Sequence, residues 1–365
     1  MPYDKITKNE EVFATEKILI AMSGGVDSSV AAFLLQKSGM NCIGGTMQLC
    51  GSLVPEAELN PVADAKAIAD KLGIPFYEFD QTTLFREKVV EAFIRCYEDG
   101  GTPNPCINCN RYLKFDALLK CALELGCDAI ATGHYAKIRQ DENGRYLLYK
   151  AEDGGKDQSY FLANLTQEQL SRVRFPLGEL SKAEVRQIAE AEGFINARKR
   201  DSQDICFIPD GDYVTFIKKY TGKEYPAGNY IDQNGKVLGK HAGAICYTIG
   251  QRKGLGIALG APAYVCSKDM TTNTVTLGAN EDLFRSHLRA ADWNWIPFPT
   301  LIDPIRVTAK VRYRHTPQPA TVYPEENGTA RVEFDEPQQA ITPGQAVVLY
   351  DGDLVIGSGT ITEVL

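Results

Sequence analysis

Three of the ten cysteines in this chain lie in polar segments, where a thiol could react. Cys106 and Cys109 form a C-x-x-C in a proline-containing loop just before a predicted helix, and Cys206 follows a basic stretch at residues 198–200. A helix N-terminus and nearby cations both lower the pKa of a thiol, so these positions predict nucleophilic thiolates. A structural role is expected for six cysteines in apolar or periodic surroundings: Cys42, Cys96, Cys121, Cys127, Cys246 and Cys266.

The C-x-x-C has two other interpretations, neither of which fits well. A thioredoxin-like redox pair is one, and half of a zinc site is the other. The second C-x-x-C or the H-x-x-x-H that zinc would need is absent from the sequence.

A glycine turn between a predicted strand and a predicted helix is the second chemical signal. Residues 17–30 read KILIAMSGGVDSSV, an apolar run followed by two glycines and by residues that favour a helix start. Glycines let a bulky anion approach the main chain, and the following helix directs its positive end at the same place. A Walker loop is excluded by spacing, and a turn without a ligand is the alternative. The predicted phosphate site comprises Ala21, Met22, Ser23, Gly24, Gly25, Val26, Asp27 and Ser28.

Alternating strands and helices are predicted to position these residues. Strands are expected at residues 17–22, 42–47, 75–79 and 128–132, and helices at residues 28–38, 62–72, 84–97 and 112–125. This pattern predicts a doubly wound parallel sheet with helices on both faces. Ligands of such sheets bind beyond the carboxyl ends of the strands, so Met47 and Gly133 are expected beside the glycine turn, and the polar segments of Cys109 and Cys206 could converge there.

Later segments predict a different architecture. A hairpin at residues 143–144 and a helix at residues 181–192 extend the first domain, after which short strands and turn pairs dominate. Residues 305–365 show the regular alternating strands of a small antiparallel barrel. We therefore expect an α/β domain over residues 1–218, a small β-rich central domain over 219–290 and a C-terminal antiparallel β-barrel over 291–365.

Composition narrows the class of protein. The 365-residue chain has a formal net charge of −8, which argues against an indiscriminate nucleic-acid binder. It has no apolar run long enough to span a membrane and no signal or transit composition, so a cytoplasmic protein with reduced cysteines and no membrane partner is expected. One segment is locally basic and is either a solvated strand or a phosphate contact: Arg306, Lys310, Arg312, Tyr313, Arg314 and His315.

The motifs SGGVDSS, TPNPCINCNRYLKF, ATGHYA, GGKDQSYFL, DSQDICF and YTIGQRKGLG together resemble the tRNA-specific 2-thiouridylase family, within the PP-loop ATP pyrophosphatase superfamily. The resemblance covers nearly the whole chain. It implies a tRNA-uridine 2-sulfurtransferase that transfers AMP from ATP to the C2 oxygen of the wobble uridine and then replaces that oxygen with persulfide sulfur. It further implies ATP and Mg²⁺ as cofactors, tRNA as substrate and a persulfide sulfur-donor protein as partner.

The same resemblance assigns residues. Cys109 takes the nucleophile position and Cys206 the persulfide-carrying position. Many relatives have an aspartate where this chain has Cys106, so the acid–base role of that position does not transfer directly. Contacts to the target base and tRNA are implied for Asn104, Pro105, Cys106, His134, Lys156, Asp157, Gln158, Arg312, Tyr313 and Gln345.

Alternative functions stay open at this point. Cys106, Cys109 and Cys206 could together hold an iron–sulfur cluster with one iron left open. The chain could then be a non-catalytic cluster-binding RNA-binding protein, or it could be another PP-loop ATP-dependent ligase. The oligomeric state, the tRNAs modified and the identity of the sulfur donor do not follow from the sequence.

Overall fold

The computed structural model describes residues 16–53, 61–199 and 205–365, which fall into two compact units. Within those ranges, the first unit takes in residues up to 89, residues 106–207 and residues 353–355. The second takes in residues 90–105, 208–352 and 356–365. No helix in the described ranges combines the length and the apolar character needed to cross a lipid bilayer.

A parallel sheet forms the centre of the first unit. The strands of this unit are β1 (Lys17–Ala21), β2 (Asn41–Gln48), β3 (Phe76–Asp80), β4 (Ala129–Ala131), β5 (Lys137–Gln140), β6 (Tyr146–Tyr149) and β7 (Val173–Arg174). The sheet order is β3-β2-β1-β4-β7, and every neighbouring pair is parallel. The strand order reverses between β1 and β4, so the doubly wound prediction is confirmed. Ile18, Leu19 and Ile20 are fully buried, as expected of a strand covered on both faces.

Helices alternate with the strands along the chain. They are α1 (Val26–Lys37), α2 (Pro61–Leu72), α3 (Thr82–Phe85), α4 (Glu91–Glu98), α5 (Pro105–Asn108), α6 (Leu118–Glu124), α7 (Ser159–Leu162), α8 (Gln167–Ser171), α9 (Lys182–Ala191) and α10 (Tyr213–Thr221), of which α4 and α10 belong to the second unit. Ser181 and Glu184 cap the start of α9 reciprocally, because each side chain accepts a hydrogen bond from the backbone N–H of the other. The predicted helix at 181–192 is thus confirmed, as is the hairpin, which β5 and β6 form.

The helix predicted at residues 112–125 begins seven residues earlier, at Pro105. Proline suits the first helical position because its φ is already helical and its missing N–H would have no partner there. Cys109–Ala117 is wound as a π-helix, as is Arg86–Val90. Because π winding shifts apolar residues away from the 3.6-residue spacing, periodicity placed the helix start too late. Cys106 and Cys109 therefore lie inside a helix and not in a loop before it.

The second unit is built mainly from antiparallel strands. Its strands are β8 (Gly228–Ile231), β9 (Val237–His241), β10 (Tyr264–Asp269), β11 (Thr274–Gly278), β12 (Phe284–Trp295), β13 (Ile305–Lys310), β14 (Gln318–Pro324), β15 (Ala330–Gln339), β16 (Ala346–Asp351) and β17 (Leu354–Val364). A small sheet has the order β10-β11-β8-β9. The strands β12-β15-β14-β13-β16-β17 follow one another in a second sheet, which closes because β12 also pairs with β17. The predicted β-rich central domain and C-terminal barrel are confirmed.

Candidate active site

The glycine turn leaves the start of α1 open. Gly24 has a φ of +68°, which a residue with a side chain rarely adopts, and Gly25 precedes the first helical turn. Among the described residues no side chain caps α1, so its first amide groups remain available to an anion. The Ser28 hydroxyl accepts from the Ser23 N–H at 3.2 Å and donates to the Gly25 carbonyl at 3.0 Å, which fixes the turn.

Gly133 packs directly against this turn. It follows β4, and a Cβ built on it would lie 2.6 Å from the Asp27 carbonyl carbon and 2.6 Å from the Ser28 nitrogen. Gly25, by contrast, has room, since its Cβ would meet only the Ser23 hydroxyl at 3.4 Å. Met47 is half-buried near the carboxyl end of β2. The structure thus brings the sequence-predicted residues together at the carboxyl edge of the sheet.

Asp27 is held by two residues that sequence reasoning missed. Lys182 Nζ donates to both carboxylate oxygens of Asp27, at 2.7 and 2.8 Å, and the Tyr135 hydroxyl donates at 2.7 Å. Lys182 lies 155 positions along the chain from Asp27, so no local pattern could have paired them. This ion pair fixes the first turn of α1 against α9.

Lys182→Gln is expected to lower the free energy of unfolding by about 1–3 kcal/mol, because it leaves a half-buried carboxylate without its cation. Urea denaturation followed by circular dichroism measures the change. Lys66→Gln is the matched control, since Lys66 and Asp70 form an exposed pair at 3.8 Å and should contribute less than about 0.5 kcal/mol. Equal losses in the two variants would contradict a special role for the Asp27 pair.

Four cysteines of the first unit form a cluster: Cys50, Cys106, Cys109 and Cys206. Cys50 follows β2, and its Sγ lies 3.9 Å from the Cys206 carbonyl oxygen. Cys109 interacts electrostatically with Cys50, Cys106 and Cys206. The Lys114 ammonium lowers the pKa of Cys106, Cys109 and Cys206. The structure therefore brings the three predicted cysteines together and adds Cys50, which no motif had indicated.

The predicted thiolate character of the three cysteines is wrong for the folded protein. Burial raises the pKa of Cys109 to about 12, and desolvation by surrounding protein raises that of Cys106. The pKa of Cys206 is raised by its hydrogen bond with Cys50 and then by desolvation from the surrounding protein, although the residue itself is exposed. Lys114 opposes these shifts without overcoming them.

Two basic neighbours of Cys206 are paired with acidic side chains. Arg198 lies 3.8 Å from Glu190, and Lys199 lies 2.7 Å from Asp64. Arg200 falls outside the described residues. Among the cysteines, all of which are described, the pKa is lowered for Cys50, chiefly by its hydrogen bond with Cys206.

The arrangement of the cysteine cluster does not form a site for a single metal ion. Within the described ranges, no three His, Cys, Asp or Glu side chains are placed so as to hold a metal ion. All ten cysteines are free thiols. The expectation that Cys106, Cys109 and Cys206 could ligate an iron–sulfur cluster stays a prediction.

The tRNA-contact residues predicted in the first unit surround the loop after β4. His134 shares a 2.7 Å hydrogen bond with the Thr132 hydroxyl, and burial and then Lys114 hold its pKa well below the usual value, so the ring is neutral at pH 7. Gln158 Oε1 accepts from the Tyr135 N–H at 2.9 Å. Asp157 is buried and accepts from the Ser159 hydroxyl at 2.8 Å and from two backbone N–H groups. Lys156, beside it, is half-buried.

The remaining predicted contacts lie at least partly inside the second unit. Gln345 Nε2 donates to the carbonyls of Thr102 and Pro103 at 2.8 and 3.2 Å, which holds the segment containing Asn104 that leads to Pro105. Arg312 Nη2 donates to three acceptors in two loops: Ile249 O, Ala340 O and Thr342 Oγ1. The Tyr313 ring faces the Lys310 ammonium at 5.6 Å.

The other basic residues of this segment differ in solvent exposure and in whether they form an ion pair. Arg306 is paired with Asp335, so part of its charge is neutralised within the barrel. Arg314 is exposed. Burial lowers the pKa of His315, so this ring adds little charge at pH 7.

A doubly wound sheet with an open glycine turn, followed by two β domains, defines a nucleotide-binding class of protein, and a cluster of thiols lies in the same unit. Family models described as tRNA methyl transferase HUP domain, tRNA methyl transferase PRC-barrel domain and aminomethyltransferase beta-barrel domain match residues 16–210, 214–279 and 285–361. The tRNA-specific 2-thiouridylase MnmA of Clostridioides difficile (strain 630) is 50% identical over 361 residues, 97% of this chain and 100% of that protein. The MnmA of Clostridium acetobutylicum is 49% identical over 353 residues, 95% of this chain and 99% of that protein. This chain belongs to the tRNA-specific 2-thiouridylase family.

Proposed function

We propose that this protein is a tRNA-uridine 2-sulfurtransferase that uses ATP to activate the wobble uridine and a cysteine persulfide to convert it to 2-thiouridine. The observation that carries the proposal is that one compact unit contains both an open helix start at Gly24 and the thiol cluster around Cys206. The names of the relatives support the same activity.

The first half-reaction is assigned to the glycine turn. The amides of the first turn of α1 bind the phosphates of ATP, and Met47 and Gly133 line the same edge. The uridine C2 oxygen attacks the α-phosphorus, the bond to the β-phosphate oxygen breaks, and pyrophosphate leaves. Mg²⁺ bound to the ATP phosphates would supply charge neutralisation there. The fixed turn and the Asp27–Lys182 pair hold the binding amides in place.

The second half-reaction is assigned to the cysteines. Cys206 accepts a sulfur atom from a persulfide donor protein, and that terminal sulfur attacks C2, so that AMP leaves with the original oxygen. The product is then joined to Cys206 through a disulfide, which a second thiol must cleave to release 2-thiouridine. Cys109 occupies the family position for this second thiol. The neutral His134 and the thiol of Cys106 are proposed to contact the target base.

The decisive experiment is mass analysis of tRNA nucleosides after incubation with ATP, Mg²⁺ and a persulfide donor. We expect 2-thiouridine, with AMP and pyrophosphate formed in equal amounts. Omission of ATP or of the donor should each abolish the product. Pyrophosphate release that does not depend on tRNA would instead indicate another PP-loop ligase. RNA binding with no pyrophosphate release would indicate a non-catalytic RNA-binding protein.

We further propose that the barrel positions tRNA through its basic strand. Arg314→Ala should weaken tRNA binding and reduce the salt slope of log K by about one, because it removes one exposed phosphate contact. Arg312→Ala should instead lower stability, since its guanidinium holds two loops through three hydrogen bonds. Fluorescence titrations of tRNA binding at several salt concentrations, with Lys66→Ala as the control, measure the affinity and its salt slope. An unchanged slope for Arg314→Ala would contradict the assignment.

The functional division of the chain is proposed to follow the sequence segments, with adenylation in residues 1–218, a central domain at 219–290 and a tRNA-contacting barrel at 291–365. Asn104, Pro105, Lys156, Asp157, Gln158, Tyr313 and Gln345 are proposed to contact or position the tRNA. A cytoplasmic location is also proposed for the protein, because tRNA and reduced thiols are both available in the cytoplasm.

A further inference from the structure

Asn196 follows α9 and lies against the glycine turn, 172 positions along the chain from Gly24. Its side chain is buried, and its Nδ2 donates to the Gly24 carbonyl at 3.1 Å and to the Ser29 hydroxyl oxygen at 2.9 Å. A carbonyl oxygen can only accept, so the amide must present its nitrogen, and not its oxygen, to Gly24. The Asn196 side chain is therefore a donor to the backbone of the turn.

The segment that contains Asn196 is fixed against α1. Phe194 is buried, and its ring packs edge-on against Phe33 with 6.2 Å between centroids. The Phe194 N–H donates to the Ala189 carbonyl at 3.0 Å, which ties the segment to the end of α9. The position of Asn196 beside the turn is thus set by the packing of the fold.

Hydrogen bonds hold two successive carbonyls of the turn. The Gly24 carbonyl accepts from Asn196, and the Gly25 carbonyl accepts from two serine hydroxyls of α1, each at 3.0 Å. In a trans peptide the C=O and the N–H of the next residue point in opposite directions. The Gly25 N–H is therefore directed away from Asn196, and the Val26 N–H away from the two serines. Within the described ranges neither N–H has a protein acceptor, so both are available to an anion.

The oxygen of the Asn196 amide indicates that packing alone does not explain this residue. Oδ1 is buried and accepts no hydrogen bond from the described residues, which costs free energy in a protein interior. An apolar side chain would avoid that cost but could not donate to the turn. Lys199 is a weaker donor, since its Nζ lies 3.5 Å from the Gly24 carbonyl oxygen and 2.7 Å from the Asp64 carboxylate. Asn196 is thus the principal side-chain donor to Gly24.

We propose that Asn196 is a positioning residue, which orients the peptide between Gly24 and Gly25 so that the Gly25 N–H binds a phosphate of ATP. This inference rests on the proposed ATP-dependent function. Asn196 acts through the turn and not on substrate atoms. Its second hydrogen bond, to Ser29, holds a hydroxyl that donates to the Gly25 carbonyl, which extends the same effect to the Val26 N–H.

The test replaces the donor with an acceptor. Asn196→Asp keeps the size of the side chain but puts a carboxylate oxygen in place of Nδ2, which repels the Gly24 carbonyl. Calorimetric titration with ATP is expected to show about tenfold weaker binding or worse. Fluorescence titration with tRNA in the absence of ATP should show an unchanged affinity, because only the phosphate amides have moved.

Asn110→Asp is the matched control. Asn110 is also buried in the first unit, its Nδ2 also donates to a carbonyl, that of Phe161 at 3.0 Å, and its Oδ1 also accepts no hydrogen bond from the described residues. Urea denaturation should therefore show a similar loss of stability in the two variants. Asn110→Asp should nevertheless keep the wild-type affinity for ATP, because Phe161 is not part of the turn.

Wild-type ATP affinity in a folded Asn196→Asp protein would overturn the inference. Equal losses of ATP affinity in the two Asp variants would also overturn it, since they would reflect a general effect of a buried charge. If Asn196→Asp does not fold, Asn196→Ala removes the donor without adding a charge and should weaken ATP binding about fivefold, with tRNA affinity unchanged. An unweakened ATP affinity in that variant counts against the inference in the same way. Failure of the proposed function looks different, since wild-type protein would then make no 2-thiouridine whatever its affinity for ATP.

Discussion

Cys206→Ser is expected to lose thiolation by at least about a hundredfold while still releasing pyrophosphate in a tRNA-dependent first turnover. The serine hydroxyl cannot carry a sulfane sulfur, so the second half-reaction has no nucleophile. The adenylation groups at the glycine turn do not depend on that thiol. Nucleoside mass analysis measures the first quantity, and a coupled pyrophosphate assay measures the second.

Cys121→Ser serves as the control for loss of a half-buried thiol and should keep both activities. Wild-type thiolation by Cys206→Ser would remove the persulfide route altogether. Loss of pyrophosphate release as well would show that Cys206 acts before sulfur transfer, against the two-step assignment. Cys106→Ser adds a further distinction, because a persulfide route through Cys206 survives it, whereas a three-cysteine metal cluster would lose a ligand.

Gly133→Ala is expected to abolish ATP-dependent activity and to destabilise the first unit by about 1–3 kcal/mol. The added methyl would lie 2.6 Å from two backbone atoms at the start of α1, and backbone cannot move aside as a flexible side chain can. The helix start must shift, and with it the amides assigned to the phosphates. Calorimetric titration with ATP and thermal unfolding measure the two effects.

Gly154→Ala is the matched control, since a Cβ there would have nothing within 4 Å. Gly25→Ala is informative in a different way. Its Cβ fits the fold, so a loss of ATP affinity with unchanged stability would locate the phosphates against this residue. Normal ATP affinity in a folded Gly133→Ala protein would contradict the placement of the nucleotide at this edge.

The parts of the fold that the sequence could predict are those set by local patterns. The fully apolar run at Ile18–Ile20 identified a doubly covered strand, and strict alternation after residue 305 identified the barrel. Strand β7 spans only Val173–Arg174, and a two-residue strand has no periodicity to detect. The start of α5 was missed because π winding hides the helical period.

Site residues that belong to a sequence motif could be predicted, whereas contacts between residues distant in the sequence could not. The glycine turn could be identified, but the need for an absent Cβ at Gly133 arises only when β4 packs against α1. Thiol ionisation was misjudged because adjacent cations and helix position are visible in a sequence, whereas the burial of Cys109 and the hydrogen bond between Cys206 and Cys50 are not. Cys50 and Lys182 act on partners more than 150 positions away, beyond any spacing rule.

The π-helical winding of Cys109–Ala117 also limits how this chain can change in length. A residue inserted into or deleted from an α-helix rotates everything beyond it by about 100°. Deleting one residue from this segment while its winding is kept would turn Cys109 relative to the buried face of α6, even though no contact residue had been substituted. The exposed turn between β5 and β6 has no such phase to preserve. Length variation among functional proteins of this kind should therefore be tolerated in that turn and excluded from the helix that holds the thiols.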